Sequence, residues 1–272
     1  MKKRRNLPGF KTTMGATLAW LGLLVLIPLS RIVTTSSGLS GSDFWKTVWS
    51  PQAVAAYELT FGASLIAAVA NGAIGLLIAW VLVRTPFPGK NFVNSLIDIP
   101  FALPTAVAGL TYGSLYAPNG WLGRFLEPLG IHAVHTRLAV CIVLTFVSLP
   151  FVVRALQPVL EDLGTESEEA AQSLGASRWQ TFRHVLFPSI LPALLTGIAL
   201  AFARAVGEYG SVVFVSGNIP MKTQIAPVVI MGHLEAFEFD RASAIALVLL
   251  VASFAMNGAI NVLSRWSRRH EQ

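Results

Sequence analysis

Six stretches of the sequence contain no Asp, Glu, Lys or Arg, and their lengths constrain the fold more than any other feature. They hold 19, 25, 25, 16, 20 and 23 residues, at Thr12–Ser30, Leu59–Val83, Ile99–Gly123, Leu138–Val153, His184–Ala203 and Ala242–Ser264. A helix needs about 20 largely apolar residues to cross a bilayer, and the shortest stretch suffices if the charged end of Arg154 extends to the membrane surface. Since 54% of the residues are hydrophobic and only 12% are charged, we expect an all-α, polytopic membrane protein with six spans.

The distribution of Lys and Arg predicts the orientation. An even number of spans places both termini on one side. That side holds 13 of the 20 Lys and Arg residues, against six on the other side and Arg204 within span 5. Because cytoplasmic loops carry an excess of positive residues, we expect both termini in the cytoplasm. The basic start Met1–Arg5 favours a topology signal beside the lipid bilayer over a nucleic-acid-binding arm, so no nucleic acid partner is expected.

Span 3 follows an acidic residue and contains two prolines, in the segment "DIPFALPT". Proline removes a helical hydrogen bond, so the span is expected to kink or break. Broken helices at membrane depth often line a cavity, which makes Asp98, Pro100, Pro104 and Thr105 candidates for a pathway or gate. A proline kink that serves packing, with Asp98 capping the broken helix, explains the same residues.

Two later spans have unusual residues. Span 4, about residues 137–160, is expected to be broken by Pro150 and Pro158. Span 5, about residues 189–215, contains "FARAVGEYGS", whose Arg204 and Glu208 are four residues apart and share a helical face. Ionisable residues at this depth form either a structural salt bridge or part of a pathway or gate, and Ser211 follows them as a further pathway candidate.

Spans 4 and 5 are separated by a water-compatible loop, about residues 161–188. Thr165 with Glu168 and Ser177 with Gln180 have the spacing of capping boxes, and Gly175 suits the end of a helix. The loop is therefore expected to form a helix, a turn and a second helix. Its acidic first half suits a protein groove better than an anionic membrane surface, which indicates a docking element for a cytoplasmic partner.

The segment "EAAQSLGASRWQTFRHVLFP" resembles the signature of the permease subunits of ABC importers. Glu169, Ala170, Ala171, Gly175 and Pro188 fall on its spacing, while Val185 and Phe187 replace the usual Ile and Leu. In that family the motif forms a coupling helix, which sits in a groove of the ATPase subunit. The resemblance implies ATPase-coupling roles for Glu168, Glu169, Ala170, Ala171, Leu174, Gly175, Ala176 and Trp179.

Further segments resemble the sulfate/thiosulfate importer permeases: 7–10, 98–111, 148–164 and 203–218, with "LPTA" at 103–106 similar to the T-type subunit. The resemblance implies a type I importer permease fold over a single transmembrane domain, 1–272, with a coupling helix between helices 4 and 5, in the bacterial inner membrane. Permeases for molybdate, tungstate or phosphate stay alternatives because they share the coupling motif.

The same resemblance implies the partners. They are a second, W-type permease, two copies of a cytoplasmic ABC ATPase, and an extracytoplasmic binding protein for sulfate or thiosulfate. The sequence contains no G-x-x-x-x-G-K-[ST] motif, so ATP and Mg²⁺ are expected on the partner ATPase, and this chain is expected to be no enzyme and to bind no cofactor. No metal site is expected either, because His132 and His135 have no further ligands nearby in the sequence.

The expected mechanism is alternating access, with Pro100, Pro104 and Pro150 as the points where helices bend or break. Glu208 would cancel the positive potential of Arg204, so only a weak sulfate site is expected, built from backbone N–H groups and hydroxyls such as those of Thr105 and Ser211. A self-contained secondary transporter with Asp98, Arg204 and Glu208 as an ion relay is the alternative.

Overall fold

The computed structural model describes residues 9–269, and within that range the protein is formed by helices and connecting loops without a strand. Its principal helices, in chain order, are α1 (Phe10–Ser36), α2 (Gly41–Val48), α3 (Pro51–Arg84), α4 (Lys90–Ile97), α5 (Ile99–Ala102), α6 (Thr105–Tyr116), α7 (Gly123–Leu126), α8 (Arg137–Asp162), α9 (Glu166–Ser173), α10 (Arg178–Val206), α11 (Val212–Val215), α12 (Ala226–Glu235) and α13 (Phe239–Arg269). The predicted all-α class is confirmed.

Five helices of the described chain are long and apolar enough to cross a membrane: α1, α3, α8, α10 and α13. The third apolar stretch is divided instead between α5 and α6. Leu103, the residue before Pro104, is extended (φ −83°, ψ 128°), and α6 starts directly after this proline. This is the expected effect of proline on its predecessor, and it confirms the predicted break. The count of six spans stays a prediction.

The predicted break of span 4 is wrong. Helix α8 runs without interruption from Arg137 to Asp162 with Pro150 and Pro158 inside it. Each proline removes one hydrogen bond from the helix, but α8 packs closely against both α3 and α10, and Pro150 is buried in these contacts. Packing on two sides holds the helix together where the local hydrogen bond is lost. Pro150 is therefore no breakpoint in this conformation.

The predicted limits of span 5 are also wrong. Helix α10 begins at Arg178, passes through one π-helical turn at Phe182–Leu186, and ends at Val206. A π turn changes the hydrogen-bond register, which lets the helix continue through Pro188. At the other end, the four-residue helix α11 is separated from α10 by the turn that contains Glu208.

Close packing of α3, α8 and α10 forms the centre of the protein. A Cβ atom added to Gly75 of α3 would lie 2.8 Å from a methyl group of Val152, and one added to Gly197 of α10 would lie 2.9 Å from the Cα of Val152. Asn71 of α3 donates hydrogen bonds to the carbonyl of Thr145 and to the hydroxyl of Ser148, both at 2.9 Å. Small residues and buried polar pairs are the usual means by which helices associate in lipid.

Candidate coupling loop and intramembrane polar clusters

The turn of the 161–188 loop is fixed by Gly175. Its φ of +83° lies in the left-handed region, and the N–H groups of Gly175 and Ala176 donate to the carbonyls of Gln172 (2.9 Å) and Ala171 (3.1 Å). This pair of bonds is the Schellman motif, which closes a helix where glycine follows it. The predicted glycine-directed end of the first loop helix, α9, is confirmed.

One of the two predicted capping boxes is present. The Ser177 hydroxyl accepts from the backbone N–H of Gln180, and the Gln180 side chain accepts from the backbone N–H of Ser177 at 2.8 Å, so α10 begins as predicted. The box expected for Thr165 and Glu168 is wrong. Thr165 makes no side-chain cap bond, because its backbone (φ −108°, ψ −11°) lies outside the extended region that an N-cap residue adopts; the Glu168 carboxylate turns instead to a charged partner.

That partner is Arg84, the last residue of α3. Its guanidinium NH1 lies 2.9 Å from Glu168 Oε1 and donates a 2.9 Å hydrogen bond to the carbonyl of Gly164. The side chains are only 16% and 25% exposed. A partly buried ion pair of this kind is screened less by water than a surface pair. The side chain of Glu168, predicted as a coupling residue, therefore points to the body of the protein.

The other residues predicted for coupling present a largely exposed surface. Leu174 is 90% exposed and Trp179 is 66% exposed, one on each side of the glycine turn. Glu169, Ala170 and Gly175 are also exposed, whereas Ala171 and Ala176 are partly covered. Large apolar side chains exposed on a polar loop are typical of a surface that another protein covers.

The second cluster surrounds Glu208, which is 2% exposed. Its Oε2 lies 2.6 Å from Arg204 NH1, and its Oε1 accepts from the backbone N–H (2.9 Å) and the hydroxyl (2.7 Å) of Ser211. The predicted pairing of Arg204 with Glu208 is confirmed as a salt bridge. Three hydrogen bonds satisfy the buried carboxylate, as a buried charge requires. The Ser211 hydroxyl donates to Glu208, so it cannot also donate to a substrate in this conformation.

Helix α6 packs tightly on the same turn. A Cβ atom on Gly210 would clash with the hydroxyl of Thr105, and one on Gly109 would clash with the carbonyl oxygen of Ser211. The first residues of α6, after Pro104, and the Glu208 turn thus come together from segments about 100 residues apart in the sequence. The structure unites four of the pathway candidates: Thr105, Arg204, Glu208 and Ser211.

Asp98 belongs to a different cluster. Its carboxylate accepts two hydrogen bonds from Arg154 of α8, one of 2.8 Å from Nε and one from NH2. Arg154 also donates to the side chain of Asn94 (2.8 Å), to its carbonyl (2.9 Å) and to Gln157. Asp98 makes no cap bond, so its predicted capping role is wrong. The cluster fixes the segment before Pro100 to α8.

Sequence reasoning missed the partners of Arg84 and Arg154. Arg84 directly follows the second apolar stretch and Arg154 the fourth, and neither position identifies the acidic residue that it meets. The signal in the sequence was an Arg and an acidic residue near the ends of different apolar stretches. Such a pattern is compatible with several Arg–carboxylate pairs, and the sequence contains nothing that distinguishes among them.

Comparison with known proteins shows to which family the chain belongs. Residues 71–269 match the model of the family described as "Binding-protein-dependent transport system inner membrane component". The chain belongs to this family. It is a permease subunit of an ABC importer, and its long apolar helices agree with a multi-pass membrane protein.

Curated relatives match nearly the whole permease. The sulfate transport system permease protein CysT of Salmonella typhimurium is 48% identical over 270 residues, which are 99% of this chain and 98% of the relative. The protein of the same name from Escherichia coli is 46% identical with the same coverage. That from a Synechocystis strain is 48% identical over 93% of this chain and 89% of its own.

Solved structures confirm the fold. A bacterial ABC transporter that imports the acidic polysaccharide alginate superimposes with a TM-score of 0.76 over 94% of both chains, at 15% identity. The MetNI methionine ABC transporter in an inward-facing conformation gives a TM-score of 0.58 over 84% of this chain and 99% of its own, at 18% identity. The ABC importer permease fold is therefore shared across low sequence identity.

Proposed function

We propose that this protein is the T-type permease subunit of an ATP-driven importer that moves sulfate and thiosulfate into the bacterial cytoplasm by alternating access. The observation that carries the proposal is the 46–48% identity with sulfate permeases over 99% of the chain. The excess of Lys and Arg on the side of the termini supports an orientation with both termini and the 161–188 loop in the cytoplasm.

The exposed face of the 161–188 loop supports its role in coupling. Leu174 and Trp179 stand beside the rigid Gly175 turn and offer an apolar contact for a groove of the cytoplasmic ATPase. Two copies of that ATPase, one for this chain and one for a second, W-type permease, would hydrolyse ATP with Mg²⁺. The chain itself would bind no nucleotide and would receive its substrate from an extracytoplasmic binding protein.

The Glu208 cluster supports a path with weak affinity for sulfate. The positive charge of Arg204 is neutralised at 2.6 Å by Glu208, which leaves no free cation in this cluster to hold a dianion. Transport needs the substrate to leave quickly, so weak contacts favour turnover. Movement of α6 against the Glu208 turn would open or close this path as the two ATPase subunits approach and separate.

The proposal is tested by sulfate uptake into vesicles that contain this chain with the W-type permease, the ATPase and the binding protein. We expect uptake that requires ATP, and its loss in Gly175→Pro, because proline cannot adopt a φ of +83° and lacks the N–H that donates to Gln172. Gly175→Asn is the control, since Asn tolerates this conformation.

Two results would contradict the proposal. Uptake that persists without the ATPase and follows an ion gradient would replace the importer with a secondary transporter. ATP-dependent uptake of molybdate, tungstate or phosphate in preference to sulfate and thiosulfate would retain the importer and reject its substrate.

A further inference from the structure

Both helices of the 161–188 loop are attached to the last turn of α3. The first attachment is Arg84, which binds the Gly164 carbonyl and the Glu168 carboxylate. The second is Trp80, one turn earlier, whose ring meets the Phe182 ring edge to face, with centroids 5.7 Å apart. The Arg84 guanidinium lies 5.6 Å from the centre of the Trp80 ring, close enough for a cation–π contact.

These contacts join the exposed docking face to the end of α3. Trp179 stacks on Phe182 with ring centroids 5.7 Å apart, and Phe182 contacts Trp80. On the other side of the Gly175 turn, Leu174 ends the helix that carries Glu168. A partner that displaces Leu174 and Trp179 therefore pulls on α3 through two separate chains of contact.

Displacement of α3 must in turn reach the centre of the protein. Gly72 and Gly75 of α3 lie directly against Ile198 of α10 and Val152 of α8, and a Cβ atom added to Gly75 would lie only 2.9 Å from the Cβ of Val152. Because closely packed interiors deform little, helices in such contact move together. The end of α3 is thus placed to receive a displacement of the 161–188 loop, and α3 is packed rigidly enough to transmit that displacement to α8 and α10.

We propose that Arg84 is a positioning residue for coupling, which holds the 161–188 loop to α3 through Glu168 and transmits the displacement of that loop to the helix core. This inference rests on the proposed importer function. It adds α3, the second apolar stretch, to the elements that move, whereas the mechanism expected from the sequence located bending only at Pro100, Pro104 and Pro150. It also separates the roles of two adjacent glutamates: Glu168 binds α3, and Glu169 faces outward.

The test uses the complete complex of both permeases and the ATPase in proteoliposomes. The binding protein is present on the side from which sulfate is taken up. Sulfate taken up and ATP hydrolysed are measured together, and the co-purified ATPase is quantified for each variant. We expect Arg84→Glu and Glu168→Arg each to retain the ATPase and its hydrolysis, while sulfate transported per ATP falls at least fivefold. The exchange Arg84→Glu with Glu168→Arg should restore at least half of the ratio, and Arg84→Lys should give an intermediate value.

Glu166→Arg is the matched control. Glu166 is exposed and lies in the same first turn of α9, so its replacement changes the charge of the helix by the same amount. It should leave sulfate per ATP unchanged. The inference is overturned if the two single reversals keep the wild-type ratio, if they lose transport only in proportion to lost ATPase, or if the exchange fails to restore the ratio.

Failure of the proposed function would look different. In that case the wild-type complex itself shows no ATP-dependent sulfate uptake. Coupling of another oxyanion to ATP in the wild type would reject the substrate and still allow the Arg84 variants to be compared by the same ratio.

Discussion

Replacement of Gly109 by alanine tests how closely α6 approaches the Glu208 turn. The new methyl group would clash with the carbonyl oxygen of Ser211, and it would lie only 2.8 Å from the Cα of that residue. The obstructing atoms belong to the backbone of a buried turn, so they cannot rotate away as a side chain does. Overpacking costs about 1–3 kcal/mol, and the rigid neighbours place this site at the upper end, about 3 kcal/mol.

A gain in helix propensity opposes this cost. Alanine is more favourable than glycine inside a helix by roughly 1 kcal/mol. The net loss of unfolding free energy for Gly109→Ala is therefore about 2 kcal/mol. Gly113→Ala is the matched control, because a Cβ at Gly113, one turn further along α6, has only the carbonyl of Phe214 nearby, at 3.7 Å. It receives the propensity gain without the clash, so the two variants should differ by about 3 kcal/mol.

The assay is reversible unfolding of the purified chain in mixed micelles with increasing SDS, followed by the fluorescence of its seven tryptophans. We expect Gly109→Ala to unfold at a lower SDS fraction than wild type and Gly113→Ala at the same or a higher one. Coincident unfolding curves for the two variants would refute the reasoning, since they would show that α6 does not approach the Glu208 turn as closely as described.

Three further predictions concern the other clusters. Glu208→Gln should lower the unfolding free energy by about 2 kcal/mol in the same SDS assay, less than the roughly 3–5 kcal/mol of a fully buried pair, because Arg204 is 31% exposed. Unchanged stability together with tighter sulfate binding would contradict this structural role and leave Glu208 only its neutralising effect on Arg204 along the proposed path. Arg154→Lys should accelerate hydrogen exchange across residues 90–104, because a lysine has only three donors for acceptors spread over Asp98 and its neighbours; equal exchange in variant and wild type, with residues 51–84 as the reference, would contradict this. Gly175→Val should reduce co-purification of the ATPase more than Gly175→Asn does, since a β-branched residue at φ +83° is strained, and an equal effect of both would show that the turn conformation is not what the ATPase recognises.

The features that the sequence predicted correctly depend on chemistry within a few residues. Charge-free length predicted the long apolar helices, Pro104 predicted the break before α6, and Gly175 predicted the turn of the loop. The Ser177 box also holds because both of its bonds lie within one helical turn. Each of these features follows from backbone geometry that neighbouring residues alone impose.

The predictions that failed depend on contacts between distant segments. Pro150 does not break α8, because neighbouring helices hold it, and Glu168 leaves its expected box for Arg84. The pairing of Arg154 with Asp98 spans 56 residues, and that of Arg84 with Gly164 spans 80. In a membrane protein the apolar pattern gives little help with such pairings, because faces that meet lipid and faces that meet another helix are equally apolar. The sequence by itself therefore determined the long apolar helices and the turns at Pro104 and Gly175, while only the tertiary structure decided which charged and polar groups meet.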